Sequence, residues 1–265
     1  GVTIVNLFFE NSTRTRISFE LAQKRLSADT VNFSASSSSL KKGESFKDTA
    51  QNIEAMKIDA VVMRHPTPGA PKHLTDFIDS IIINAGDGTH EHPTQAILDM
   101  MSLHEKFGKL KGLKVAIIGD ILHSRVALSN IYGLITMGAE VVLCGPTNLI
   151  PKHIEGLGVQ INYDIDEVIE WADAINILRI QRERMGIGLV PSIREYRDLF
   201  GITKERLQGI KKEIVIMHPG PINRGIEIDT YVADSDKSVI LNQVLNGVAV
   251  RMSILYLLLG VNTDE

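Results

Sequence analysis

Short apolar runs alternate with stretches of helical spacing along almost the whole chain, and this alternation constrains the fold more than any other feature. The runs "VTIVNLFF" (2–9), "DAVVMRH" (59–65), "SIIINAGDG" (80–88), "LKVAIIGD" (113–120), "AEVVLCG" (139–145), "AINILRI" (174–180) and "EIVIMHPGP" (213–221) read as strands. "TVNFSA" (30–35) and "VQINYD" (159–164) are shorter or weaker ones. Helical patterns fill residues 13–27, 45–57, 93–108, 124–138, 165–173 and 238–259, with a short helix at "IPKHIEGLG" (150–158) and helical pieces over 192–209. Ser45 with Asp48 three residues on is a helix start, Pro71 suits a first turn, and Gly108 is a helix stop. Strands separated by helices must run parallel and be covered on both faces, which predicts an α/β fold of two doubly wound parallel-sheet domains. The boundary falls near the helix over 93–107.

Composition excludes several classes of function. The chain has 265 residues, enough for two medium domains, and a formal net charge of −4, which leaves no basic footprint for nucleic acid. Cys144 is the only cysteine, so no intrachain disulfide can form and a reducing, cytoplasmic compartment is expected. The apolar run "SILYLLLGV" near the end is far short of the ~20 residues that span a bilayer, and residues 238–259 are expected to pack rather than to cross a membrane. No signal peptide is recognisable. The first residue is Gly1, at the edge of a strand, so further residues are expected upstream.

Ligands of open α/β sheets bind beyond the carboxyl ends of the strands. After the first strand comes Ser12-Thr13-Arg14-Thr15-Arg16; after the third, Arg64 and His65; after "SIIINAGDG", His90, His92 and Gln95. In the second half the strand ends carry His123 and Arg125; Arg179, Gln181, Arg182 and Arg184; and His218-Pro219-Gly220-Pro221. Lys41 and Lys42 lie in a serine-rich loop. Carboxylates there are few (Asp87, Glu91, Asp120), with no evident acid/base pair, and no Cys/His spacing suggests a metal. Arginine forks and a helix N-terminus both suit anions such as phosphate and carboxylate. Neither G-x-x-x-x-G-K-[ST] nor G-x-G-x-x-G is present.

Each signal also has a plainer reading. Ser12 or Thr13 could simply cap a helix, but two arginines in the first turn oppose the helix dipole, which favours an anion there. Arg64, Arg125 and Arg179 taken singly suit ion pairs, Lys41 and Lys42 a solvated loop, and His92 a capping or core role. His65, His90, His104 and His123 read as structural or surface residues.

Taken together, the segments "FFENSTRTRISFE", "KKGES", "VMRHP", "NAGDGTHEHPTQ", "LRIQRER" and "MHPGPINRG" resemble, in order and at matching spacing, the catalytic chains of the aspartate/ornithine carbamoyltransferase superfamily. The resemblance spans essentially the whole chain. It points to the aspartate branch, because Thr94 and Pro219 stand where the ornithine branch carries cysteine, and "RIQRER" supplies positive charge for a second carboxylate. A carbamoyltransferase for another amino acid such as ornithine, and a non-catalytic scaffold homologue, are the alternatives.

The resemblance implies a carbamoyl-phosphate-binding domain (1–93 plus 247–265, with the C-terminal helix returning to it) and an aspartate-binding domain (94–246). It implies transfer of the carbamoyl group from carbamoyl phosphate to L-aspartate in pyrimidine biosynthesis, with no cofactor and no metal. Ser12, Thr13, Arg14 and Thr15 are expected to cradle the phosphate, and Arg64 to bridge phosphate and carbonyl oxygen. His92 and Thr15 are expected to bind the carbonyl oxygen, and Gln95 the carbamoyl nitrogen. Ser38 and Lys42 are expected to enter from a neighbouring subunit of a homotrimer with shared active sites. Arg125 is expected to take one aspartate carboxylate and Arg179 with Gln181 the other, while the carbonyls of Gly220 and Pro221 orient carbamoyl group and amine. Regulatory or other pyrimidine-pathway subunits are possible partners; nucleic acid and membrane are not expected. One departure is that the family carries a further N-terminal segment, whose helix packs on the C-terminal one. A second is Gly220, where some members have leucine; a backbone carbonyl contact survives that change.

Overall fold

A computed structural model describes residues 1–34, 45–180 and 192–260. The chain forms two compact units, Gly1–Thr94 with Leu245–Glu265, and Gln95–Val244.

The first unit is built on β1 (Thr3–Phe8), α1 (Thr13–Arg25), β2 (Asp29–Ser34), α2 (Phe46–Glu54), β3 (Ala60–His65), α3 (Ala70–Leu74) and β4 (Ile81–Asp87). Its four described strands are all parallel, in the order β2-β1-β3-β4. Neighbouring residues of each strand bury opposite faces, as the period of two requires. Ile4, Val62 and Ile83 pack with Phe19 and Ala22 of α1 and with Val248 and Leu255 near the C-terminus. Val5, Leu7, Val61 and Met63 pack the other way, with Ala50 of α2 and Leu74 of α3. Asn6 is buried mid-strand and satisfied: its side-chain amide donates to Gln23 (3.0 Å) and Asn32 (2.9 Å) and accepts from Gln23 (2.8 Å).

The chain passes into the second unit along α4 (Pro93–Phe107). There follow β5 (Lys114–Ile118), α5 (Arg125–Thr136), β6 (Glu140–Cys144), β7 (Gln160–Ile161), α6 (Ile165–Trp171), β8 (Ala174–Ile177), α7 (Ile193–Phe200), α8 (Lys204–Gln208), β9 (Val215–Met217) and α9 (Thr230–Ala233). Five parallel strands lie in the order β7-β6-β5-β8-β9. Val115, Ile117, Val141 and Leu143 face Leu103, Ile131 and Leu134, while Ala116, Ile118 and Val142 face Val168, Ile169 and Leu207. The fold is therefore α/β, with two parallel sheets each covered on both faces.

The last helix, α10 (Ile240–Leu259), returns to the first unit. Its buried Arg251 donates to Ser18 Oγ (2.9 Å) and sits 5.0 Å from the Phe19 ring centre, which ties it to α1. By length and composition α10 is apolar enough to cross a membrane, a test that core helices also pass. Its Val248, Val250 and Leu255 are buried, and its Leu241, Leu245 and Tyr256 are exposed.

Local signals hold in detail. Ser45 caps α2 by accepting from Asp48 N (3.1 Å). Gly108 ends α4 with φ +72° and donates its N–H to His104 O (2.8 Å). The expected helix over 150–158 is instead a single 3-10 turn, Ile154–Leu157. Pro151 at its start and glycines at 156 and 158 leave too few residues with helical backbone freedom for an α-helical nucleus.

Candidate active site

In the first unit β1 hands over directly to α1, and Ser12 is the N-cap residue with extended backbone. Its side chain makes no capping bond, whereas Ser45, Ser124, Asp164, Ser192 and Thr203 all accept a backbone N–H at the starts of their helices. The first turn of α1 has no acidic residue; it carries Arg14 and Arg16, with Thr15 buried between them. A basic first turn and an N-cap hydroxyl that makes no capping bond are the features that suit an anion at a helix start.

Arg64 ends the neighbouring strand, with Phe8 as its partner in the β1–β3 register. Its Nε lies 2.9 Å from Glu10 Oε1, and its Nη1 donates to Ala85 O (3.3 Å). Both side chains of the pair are mostly buried, so Glu10 holds the guanidinium in one orientation at the strand ends. The structure thus shows the ion pair that Arg64 taken singly suits. After β4 the buried Asp87 ties down the loop: it accepts from Gly69 N (2.7 Å), Asn84 Nδ2 (3.0 Å) and Glu91 N (3.0 Å), and contacts His90 Nδ1 at 3.1 Å. That scaffold delivers His92, itself buried, to the start of α4.

In the second unit Asp120 plays the same part after β5. It is fully buried, accepts from His123 N (3.1 Å) and lies 2.9 Å from His123 Nδ1. Ser124 then caps α5, and Arg125 is its first residue, buried. Arg179 follows β8, the strand paired with β5, and is half-buried. After β9, His218 shapes the turn: its Nδ1 accepts from Gly220 N (2.7 Å), so its Nε2 carries the proton and faces Glu227 Oε1 at 3.2 Å, both fully buried. The Gly220–Pro221 peptide is cis.

Gln95 is the third residue of α4, and its Nε2 donates to Asp99 Oδ1 (2.9 Å) one turn on. Asp99 also accepts from Asn130 (2.8 Å), Gln243 (2.8 Å) and Asn176 (3.3 Å). Burial pushes its carboxyl up to about 6, with the four amide donors pulling the other way.

Within each unit, then, the described candidates gather at the carboxyl ends of the strands. In the first unit these are Ser12, Thr13, Arg14, Thr15, Arg64 and His92; in the second, Arg125, Arg179, Gly220 and Pro221, with Gln95 at the head of α4. Ser38, Lys41, Lys42, Gln181, Arg182 and Arg184 lie outside the described residues. Sequence reading missed Glu10, Asp99 and the His218–Glu227 pair as supports of the site. Glu10 lay inside the quoted "FFENSTRTRISFE", and the i, i+4 spacing of Gln95 and Asp99 on one helix was a usable signal.

Comparison with known proteins gives consistent results. The family model "Aspartate/ornithine carbamoyltransferase, carbamoyl-P binding domain" matches residues 1–105, and "Aspartate/ornithine carbamoyltransferase, Asp/Orn binding domain" matches residues 111–258. The chain is 63% identical over 257 residues to the aspartate carbamoyltransferase catalytic subunit of Christiangramia forsetii, spanning 97% of this chain and 83% of that one. Among solved structures it is similar to aspartate transcarbamoylase from Trypanosoma cruzi in complex with carbamoyl phosphate (32% identity, TM-score 0.88, 97% and 83% coverage). It is also similar to ornithine carbamoyltransferase from Pyrococcus furiosus (28% identity, TM-score 0.86, 98% and 85% coverage).

Proposed function

The chain belongs to the aspartate/ornithine carbamoyltransferase family, and we propose that its strand-end residues carry the transfer of a carbamoyl group from carbamoyl phosphate to the amino group of L-aspartate. The products are N-carbamoyl-L-aspartate and phosphate. The chain acts as an aspartate carbamoyltransferase catalytic subunit, as its 63% identity to such a subunit supports.

The observation that carries the assignment of roles is the start of α1, where Ser12 makes no capping bond and the first turn is basic. A phosphate completes that helix end. Ser12, Thr13, Arg14 and Thr15 take its oxygens through hydroxyls, guanidinium and backbone amides. Arg64, aimed by Glu10, spans phosphate and carbonyl oxygen, and His92 and Thr15 donate to that carbonyl oxygen. Gln95 contacts the carbamoyl nitrogen. Arg125 takes one carboxylate of aspartate and Arg179 with Gln181 the other, a demand for two anionic groups that ornithine does not meet. The carbonyls of Gly220 and Pro221 orient the amine and the carbamoyl group, in a turn that His218 and Glu227 hold.

The neutral amine of aspartate attacks the carbonyl carbon, and negative charge moves onto the carbonyl oxygen, where Arg64, His92 and Thr15 stabilise it. The bond from that carbon to the bridging oxygen then breaks, phosphate leaves, and the amine proton passes to it. Positioning and charge stabilisation carry the rate, so no side-chain acid/base pair is required.

A homotrimer, with Ser38 and Lys42 of one subunit completing the site of the next, belongs to the same proposal. So do a cytoplasmic location and association with subunits of another kind, in keeping with the term "catalytic subunit" for the relatives. Incubation of the pure protein with carbamoyl phosphate and L-aspartate is expected to release N-carbamoyl-L-aspartate and phosphate in equal amounts. Absence of product from folded protein, or equal turnover of ornithine, would overturn the assignment.

A further inference from the structure

Four side-chain amides converge on one buried carboxylate in the second unit. Asp99 Oδ1 accepts from Gln95 Nε2 and Gln243 Nε2, and Oδ2 from Asn130 Nδ2 and Asn176 Nδ2. The four come from four different elements, α4, α10, α5 and β8, and all are neutral. Asp99 is fully buried, so the carboxylate has no water to turn to. Two of the amides are held at a second point as well: Gln243 Oε1 accepts from His218 N (3.0 Å), and Asn130 Nδ2 also donates to Val126 O (3.0 Å). The carboxylate is thus fixed in place from several sides.

An ionised carboxylate only accepts hydrogen bonds. Gln95 must therefore turn its amide nitrogen toward Asp99 and present its oxygen outward. We propose that Asp99 is a positioning residue: it selects the orientation of Gln95 in which Oε1 accepts an N–H from the carbamoyl amino group, and so makes the site choose a carbamoyl over an acyl donor. Flipped, Gln95 would offer a donor to a donor. Proton counting is unaffected, since Asp99 takes no part in bond making. The inference rests on the reading that Gln95 contacts the carbamoyl nitrogen.

Acetyl phosphate replaces the amino group with a methyl and cannot donate, so the ratio of kcat/KM for carbamoyl phosphate to that for acetyl phosphate reports on the Gln95 contact. Gln95→Ala tests the underlying reading: the ratio is expected to fall about tenfold, the effect of one neutral hydrogen bond. An unchanged ratio there removes Gln95 from the contact and takes the proposal with it. Asp99→Ala, checked for a cooperative thermal transition, is expected to lower the ratio to a similar extent while acetyl phosphate is used nearly as before. A folded Asp99→Ala with the wild-type ratio, beside a Gln95→Ala that has lost it, overturns the proposal alone. If Asp99→Ala does not fold, Gln95→Glu decides. Two facing carboxylates must share a proton, so the ratio in this variant is expected to fall as pH rises through a carboxyl titration displaced upward from that of wild-type Asp99, which lies at about 6. A pH profile like that of wild type overturns the positioning role.

Discussion

Arg64 and Glu10 are mostly buried together at 2.9 Å, and neither a free surface arginine nor an isolated ligand describes them. If the pair aims the guanidinium at the developing oxyanion, Arg64→Ala should lower kcat/KM for carbamoyl phosphate by about a hundredfold or more. Glu10→Gln keeps the charge on Arg64 but loosens its aim, and should cost about tenfold; steady-state kinetics with aspartate saturating would measure both. A second expectation concerns Asp99, whose carboxyl is pushed up to about 6 in the folded chain against 3.8 as its ordinary value. The native state binds this proton more tightly than the unfolded state, so the group favours folding at low pH, and that contribution is lost as pH rises from about 4 through 6. Relative to Asp99→Asn, wild type should therefore be more stable at pH 4 than at pH 7 by about 2 kcal/mol, as read from denaturant unfolding at the two values. The opposite slope would mean that the four amide donors outweigh burial.

The described helix starts differ in whether the N-cap side chain completes them, and those of α5 and α1 stand in contrast. Ser124 accepts from Ala127 N (3.2 Å) and completes the start of α5 from within. Ser12 occupies the equivalent position on α1 and makes no such bond. Ser124→Ala should thus lower stability by about 1 kcal/mol, whereas Ser12→Ala should leave the thermal midpoint in place and raise the KM for carbamoyl phosphate. A midpoint that drops equally in both would return Ser12 to an ordinary cap. The cue for this difference was legible beforehand, because arginines in a first turn are unfavourable unless an anion answers them. The short helix expected over 150–158 fails to form for a local reason as well: apolar spacing alone does not supply the backbone freedom that Pro151 and two glycines remove.

For the whole molecule the proposed assembly has a direct test. Light scattering or native mass spectrometry of the chain should give three times its own mass, and mixing a Lys42→Ala variant with an Arg64→Ala variant should restore activity above that of either alone. Such complementation requires sites shared between subunits; its absence from mixed trimers would place Lys42 in its own subunit's site. The strands, most helices, and the gathering of basic and neutral donors at strand ends could all be read from the chain, because periodicity, caps and glycine stops act over a few residues. The parallel α/β class followed from the same short-range pattern. Strand order, the Glu10–Arg64 and His218–Glu227 pairs and the Asp99 hub needed the folded structure. Asp99 meets Gln243 across 144 residues of sequence, and such contacts are selected by the simultaneous packing of several elements around a buried charge. No local propensity encodes that choice, since an aspartate on an amphipathic helix is equally at home in water until the surrounding amides enclose it.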